Sequence, residues 1–154
     1  MSQESQAITW RAEFATGVAI IDDQHRVLIH MLNDASTKLN DRSPIADFSK
    51  IVQGLLSYAG YHFQTEDRLM AEYDYAGQCA AAASMHASQH KAFAEKVIAV
   101  QETLKAGQRV QKAVLVSFLT EWLADHILNT DKALGAYIGS QQAGGVSPGS
   151  TSSS

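Results

Sequence analysis

The chain has 154 residues and a mass of 16.7 kDa, and with 45% hydrophobic residues it has enough apolar material for one domain with a substantial core. Its 12 Lys and Arg against 16 Asp and Glu leave a formal charge of −4, the wrong sign for a nucleic-acid binder, which presents a basic face. No segment reaches the roughly 18 unbroken apolar residues of a membrane span, and a single cysteine, Cys79, excludes both an internal disulfide framework and a Cys-rich zinc site. Residues 1–6 are polar and carry no apolar run of signal-peptide type, so a cytoplasmic setting is expected.

In chain order, residues 1–20 read as an N-terminal arm; from Ala7 onward it has no helical period and is expected to pack on the domain. Ile21-Asp22-Asp23 reads as a helix start, with either Asp placed to cap free backbone N–H groups. Four apolar stripes follow at helical spacing. The first is His25, Leu28, Leu32, Ala35, Leu39. The second is Phe48, Ile51, Leu55, Ala59, His62, Glu66, Leu69. The third is His86, His90, Phe93, Val97, Val100, Leu104, and the fourth is Val114, Phe118, Trp122, His126.

The breaks between stripes carry turn chemistry. Asp41-Arg42-Ser43-Pro44 joins the first two helices, with Ser43 as N-cap and Pro44 at the first helical position. Residues 73–84 hold Gly77, Cys79 and an alanine run able to extend a helix. Ala106-Gly107 ends the third helix and permits a tight reversal. Short connections imply antiparallel neighbours, so the fold class is all-α, an up-down-up-down antiparallel four-helix bundle over residues 1–138. From Gly139 the composition turns to Gln, Gly and Ser, and residues 139–154 read as a disordered tail.

The anomaly is where the histidines fall. Of His25, His30, His62, His86, His90 and His126, all but His30 sit in apolar stripes where leucine is expected, and so does Glu66. An unpaired buried polar group costs roughly 1–3 kcal/mol, so something must satisfy them together. His62 with Glu66, and His86 with His90, are spaced four apart and share a helix face, where two side chains converge on one metal ion. Neither pair is specific alone, since surface pairs and hydrogen-bonded core histidines are common. With His25 and His126 they put imidazoles on four different helices facing one interior, where bundles build metal sites. Asp131 lies five residues past His126, an interval that rotates a side chain about 140° on an ideal α-helix. Either Asp131 points elsewhere or a single π-type turn brings it back, and on spacing alone it is the weakest ligand of the set. Five imidazoles and two carboxylates exceed what one octahedral ion holds. With both carboxylates bridging and one solvent oxygen shared, two ions keep a single open position for a small ligand.

These residues resemble the bacteriohemerythrins of the hemerythrin family. The resemblance covers about residues 8–138 and rests on an early histidine after Ile21-Asp22-Asp23-Gln24, HFxxE at residues 62–66, HxxxH at 86–90 and HxxxxD at 126–131. It implies two iron ions: one held by His86, His90 and His126, the other by His25 and His62. Glu66 and Asp131 would bridge them beside an oxo or hydroxo group, with dioxygen as the ligand of the second iron. Trp122 and Leu123 match the family's apolar pocket positions, and Leu28, Leu32, Phe63 and Ile127 lie within a turn of ligands, though ordinary packing explains Leu32 and Ile127 as well. The alanine-rich segment before His86 departs from the family, lacking its tyrosine-proline pair. His30 reads as a solvated surface residue and Cys79 as a small apolar loop residue.

The function so implied is reversible oxygen binding, for carriage, storage or delivery, by a monomeric non-enzyme with dioxygen as partner. An oxygen-consuming enzyme is a candidate recipient, with no nucleic acid and no membrane insertion. Two alternatives belong to other classes: an oxygen or nitric-oxide sensing module, and a di-iron oxidase or peroxidase-like enzyme. Zinc, which prefers four ligands, suits seven poorly.

Overall fold

A computed structural model of the chain describes residues 8–143. The first seven residues of the expected arm and residues 144–154 of the expected tail lie outside the described residues. Four long helices run alternately up and down: α1 (Ala19–Lys38), α2 (Ile45–Glu72), α4 (Ala80–Lys105) and α5 (Lys112–Asp125). A single turn, α3 (Tyr75–Gln78), links α2 to α4, and α5 runs on through a π turn (His126–Asp131) into α6 (Lys132–Ala143). α1 packs on α2 and α5, and α2 on α4, as expected for a four-helix bundle. Among the described residues no helix is long and apolar enough to cross a membrane.

Most of the first three stripes bury: Leu28, Leu32, Ala35, Phe48, Leu55, Ala59, Phe93, Val97 and Leu104 are buried, while Ile51, Leu69 and Val100 are half-buried. The fourth does not. Val114 is 61% exposed, and the buried line of α5 is Leu115, Leu119, Leu123, one position on. Phe118 and Trp122 flank that line, half-buried. α5 is apolar on two adjacent stripes, so the period alone does not choose between them.

Caps differ from expectation in two places. α1 begins at Ala19, ahead of the aspartates, and neither caps it. Instead Asp22 Oδ1 accepts the Thr16 backbone N–H and the Thr16 hydroxyl, both at 2.8 Å. The same hydroxyl accepts the Val18 N–H at 3.1 Å. Asp22 therefore fastens the arm to the helix rather than closing the helix end. α2 begins one residue late, after Pro44, and Ser43 instead closes the preceding turn by accepting the Asn40 N–H at 3.0 Å.

The other end of the bundle follows the expected chemistry. Gly107 adopts φ +82°, with its N–H on the Leu104 carbonyl at 2.9 Å and the Gln108 N–H on Thr103 at 3.1 Å. This is the paired C-terminal closure that favours glycine. The alanine run becomes the first turn of α4.

The arm packs on the bundle. The Asn33 carboxamide makes paired bonds to the Ile8 backbone, at 3.0 and 2.7 Å, and Phe14 is 1% exposed. The arm passes α6 at Gly135, where a Cβ would collide with the Thr16 backbone. α6 continues through Gly139 to Ala143, so the helical domain passes the boundary expected at residue 138. Leu134 and Ile138 bury against Ile21 and Tyr75, which holds this extension in place.

Candidate metal centre

Each helix delivers its polar residues to the same end of the bundle. α1 contributes His25; α2, His62 and Glu66; α4, His86 and His90; the π turn, His126 and Asp131. None is more than 7% exposed. An α-helix would point His126 and Asp131 apart. The π turn widens the helix so that the His126 Nε2 and Asp131 Oδ1 atoms lie 3.0 Å apart.

The seven side chains form two overlapping groups that share both carboxylates. One comprises Glu66, Asp131, His86, His90 and His126; the other comprises Glu66, Asp131, His25 and His62. The carboxylates divide their oxygens between these groups. Glu66 Oε1 lies 3.0 Å from both His86 Nε2 and His90 Nε2, and Asp131 Oδ1 lies 3.2 Å from His86 Nε2. Glu66 Oε2 faces His62 Nε2 at 3.2 Å, and Asp131 Oδ2 faces His25 Nε2 at 2.7 Å.

Several inward atoms lack an ordinary partner. His62 Nε2, Glu66 Oε2 and Asp131 Oδ1 are buried without a hydrogen bond. His90 Nε2 and His126 Nε2 approach to 3.2 Å, nitrogen to nitrogen. Such convergence of acceptor atoms in a dry interior is costly unless cations lie among them. The donor set, imidazole nitrogen with carboxylate oxygen, suits a transition metal.

Two glutamines stand behind the cluster, and neither was singled out from the sequence. Gln24 Oε1 lies 2.7 Å from His62 Nδ1, and Gln89 Oε1 lies 2.7 Å from His126 Nδ1. A carboxamide oxygen only accepts, so each histidine donates from Nδ1 and turns its Nε2 inward. A signal did exist. Gln24 lies four residues before Leu28 and Gln89 four before Phe93, so both are polar residues in register with buried stripes. Aromatic rings brace two more faces: Phe63 stacks on His90 at 3.8 Å and Trp122 on His126 at 4.4 Å.

The electrostatics show strong mutual dependence. Burial opposes charge on His62 and His86, but the Asp131 and Glu66 carboxylates facing them outweigh it and lift both pKa values to about 9. His126 is also raised against burial, chiefly by the Asp131 charge. For His90 burial prevails and the pKa is lowered. Glu66 and Asp131 resist the cost of burial because the histidines hold both well below the usual carboxylate range. Positive charge at this place, as protons or as metal, is what keeps two carboxylates ionised indoors.

Beside the cluster lies an apolar cavity of about 20 Å³, above the ~10–15 Å³ that one water-sized molecule requires. Leu28, Leu32, Phe63, Trp122 and Leu123 line it together with the His62 and His126 rings. Ile127 does not; it is fully buried in the packed core. His30 is exposed at the surface, and Cys79 packs half-buried beside the Tyr75 cluster.

Comparison with known proteins agrees with this geometry. The Hemerythrin HHE cation binding domain matches residues 16–138. A bacteriohemerythrin of Methylococcus capsulatus is 32% identical over 136 residues, covering 83% of this chain and 94% of that protein. One of Stenotrophomonas maltophilia is 29% identical over 126 residues, covering 82% and 78%. The crystal structure of a wild-type hemerythrin superposes with a TM-score of 0.72 at 28% identity, covering 84% of this chain and 95% of that one. The chain therefore belongs to the hemerythrin family, as a non-haem iron-binding domain whose buried His/Glu/Asp cluster is built by three helices and one π turn.

Proposed function

We propose that this domain binds dioxygen reversibly at a pair of iron ions and turns over no substrate. One observation carries the reading: Glu66 and Asp131 each direct one oxygen toward His86, His90 and His126 and the other toward His25 and His62. Carboxylates so divided hold two cations side by side. His86, His90 and His126 would hold one iron and His25 and His62 the other, with Glu66 and Asp131 serving both. The two-histidine side has one protein ligand fewer, so an open position belongs there. A bound ferrous pair supplies the electrons and the coordination position that dioxygen needs.

The chain's own part is to orient and to exclude. Leu28, Leu32, Trp122 and Leu123 keep the space beside His62 apolar, which discourages water and anions from competing for that position. Imidazoles outnumber carboxylates five to two, unlike the Glu-rich di-iron enzymes of bundle type. That balance favours holding oxygen over cleaving it. The names of the curated relatives support the same reading.

The test is anaerobic loading with ferrous iron, metal quantitation and an air–argon cycle. About two irons per chain are expected, with a visible absorption band that appears in air and fades under argon. Fewer irons would overturn the pair. Irreversible oxidation in the first cycle would overturn reversible binding, and sustained oxygen consumption with a reductant would favour an oxidase.

A further inference from the structure

The His62 and His126 rings are the imidazoles that border the apolar cavity, and they are also the ones whose outer nitrogens meet glutamine. We infer that Gln24 and Gln89 are positioning residues that fix these two imidazoles with a neutral acceptor, and that their neutrality biases the iron pair toward its ferrous state. The inference rests on the iron-pair reading above.

The orientation of Gln24 follows from a directed chain of bonds. The Thr65 hydroxyl donates to the Tyr61 carbonyl at 3.3 Å, so its oxygen is left to accept the Gln24 Nε2–H at 3.0 Å. The Gln24 carboxamide oxygen must then face His62. Gln24 and Thr65 are both buried, so water does not compete for these bonds.

Gln89 works differently, because its Oε1 accepts twice. His126 Nδ1 and Thr130 Oγ1 both donate to it at 2.7 Å. Both donors belong to the π turn, while Gln89 sits on α4 between His86 and His90. One carboxamide thus ties two elements of the three-histidine group together and holds open the widened turn that delivers Asp131.

The choice of amide over carboxylate has an electronic consequence. A carboxylate draws the Nδ1 proton toward itself and makes Nε2 a stronger donor, which stabilises ferric over ferrous iron. A carboxamide of the same shape holds the ring without that push. A site that must return to its ferrous state after oxygen leaves is served by the weaker donor.

The experiment compares Gln24→Glu, Gln89→Glu, Gln24→Ala and Gln89→Ala in the full chain. Ferrous affinity is read by chelator competition and the midpoint potential by spectroelectrochemistry. Each alanine variant should bind ferrous iron about 10–100-fold more weakly. Each glutamate variant, nearly isosteric and therefore expected to fold, should keep affinity within about threefold of the parent. It should also favour the ferric state about tenfold, a midpoint ~59 mV lower for a one-electron couple. Glutamate variants unchanged in potential, or as weakened in binding as the alanine variants, overturn the inference. If the parent chain itself holds no iron pair, the iron reading fails and carries this inference with it. If the parent holds the pair and the substitutions change nothing, this inference alone fails.

Discussion

The four helical runs of the bundle carry two unlike cores at its opposite ends. Near the connections at residues 39–44 and 106–111 they present Leu39, Phe48, Val52, Val97, Leu104 and Leu115, each at most 3% exposed. At the other end they present His25, His62, Glu66, His86, His90 and His126, also buried, with His90 the most exposed of them at 7%. The apolar end is stabilised by burial itself, with roughly 1.5–3 kcal/mol for each large side chain. The polar end gains little from burial and depends on positive charge among its carboxylates. Helical period governs the fold equally at both ends; what occupies the stripe separates a core from a site.

Removing iron should break that comparison most sharply. A ligand present at about 1,000 times its Kd stabilises the fold by roughly 4 kcal/mol. Chelation is therefore expected to accelerate amide exchange around residues 62–66, 86–90 and 126–131. Residues 48–55 and 97–104 should stay protected. Uniform acceleration along every helix would mean that the ends are one cooperative unit.

Phe48→Ala attacks the opposite end. Phe48 is 1% exposed, and its truncation should cost about 3–5 kcal/mol in chemical denaturation. The folded fraction should retain its full iron content. Iron lost from the folded variant would show that the apolar end sets the geometry of the polar one.

Acidity should separate the iron-free from the iron-loaded protein. In the iron-free fold His62 and His86 are raised from 6.5 to about 9. Protonation of these two therefore contributes stability that is fully present below pH 6.5 and lost as pH rises through about 9. Iron needs the same nitrogens unprotonated, so its affinity should climb over that window by up to about tenfold per pH unit for each proton displaced. Ferrous loading near pH 7.5 should release protons, detectable with an indicator dye, and the gap in melting temperature between loaded and iron-free protein should widen with pH. Loading without proton release would contradict histidine ligation at these two positions.

Leu123→Asn probes the border between the two ends. Leu123 is 6% exposed and lines the cavity beside His62. A polar group there admits water, and oxidation of the loaded protein in air should speed about tenfold, the equivalent of ~1.4 kcal/mol in the barrier. An unchanged rate would reduce Leu123 to packing.

Much of this arrangement was legible in the residues, and the gaps have physical causes. Histidines in leucine positions stood out because a buried polar group is unusual, and the structure brings the same seven side chains together. The five-residue step from His126 to Asp131 leaves two choices, a side chain pointing elsewhere or a widened turn, and the structure contains the π turn. Gln24 and Gln89 escaped notice because glutamine is common on exposed helix faces, so its place in a stripe looked incidental. The start of α1 was displaced because Asp22 binds Thr16 of the arm, a partner that a local capping rule does not consider. α6 runs past residue 138 because Leu134 and Ile138 draw Gly139 and Ser140 into a helix their own propensities disfavour.

Val114 offers the mildest test, on which face of α5 turns inward. Spacing from Phe118, Trp122 and His126 places it in the core, yet it is 61% exposed while Leu115 is 3% exposed. If the inner face of α5 is the Leu115 line, Val114→Ser should change stability by no more than about 0.5 kcal/mol, as surface substitutions do. Urea denaturation measures this directly. A cost above about 1 kcal/mol, typical of a buried site, would restore the Val114 stripe. It would also rotate α5 enough to pull Leu123 away from the cavity, so the oxygen-facing wall and the apolar end of the bundle stand or fall on the same helix face.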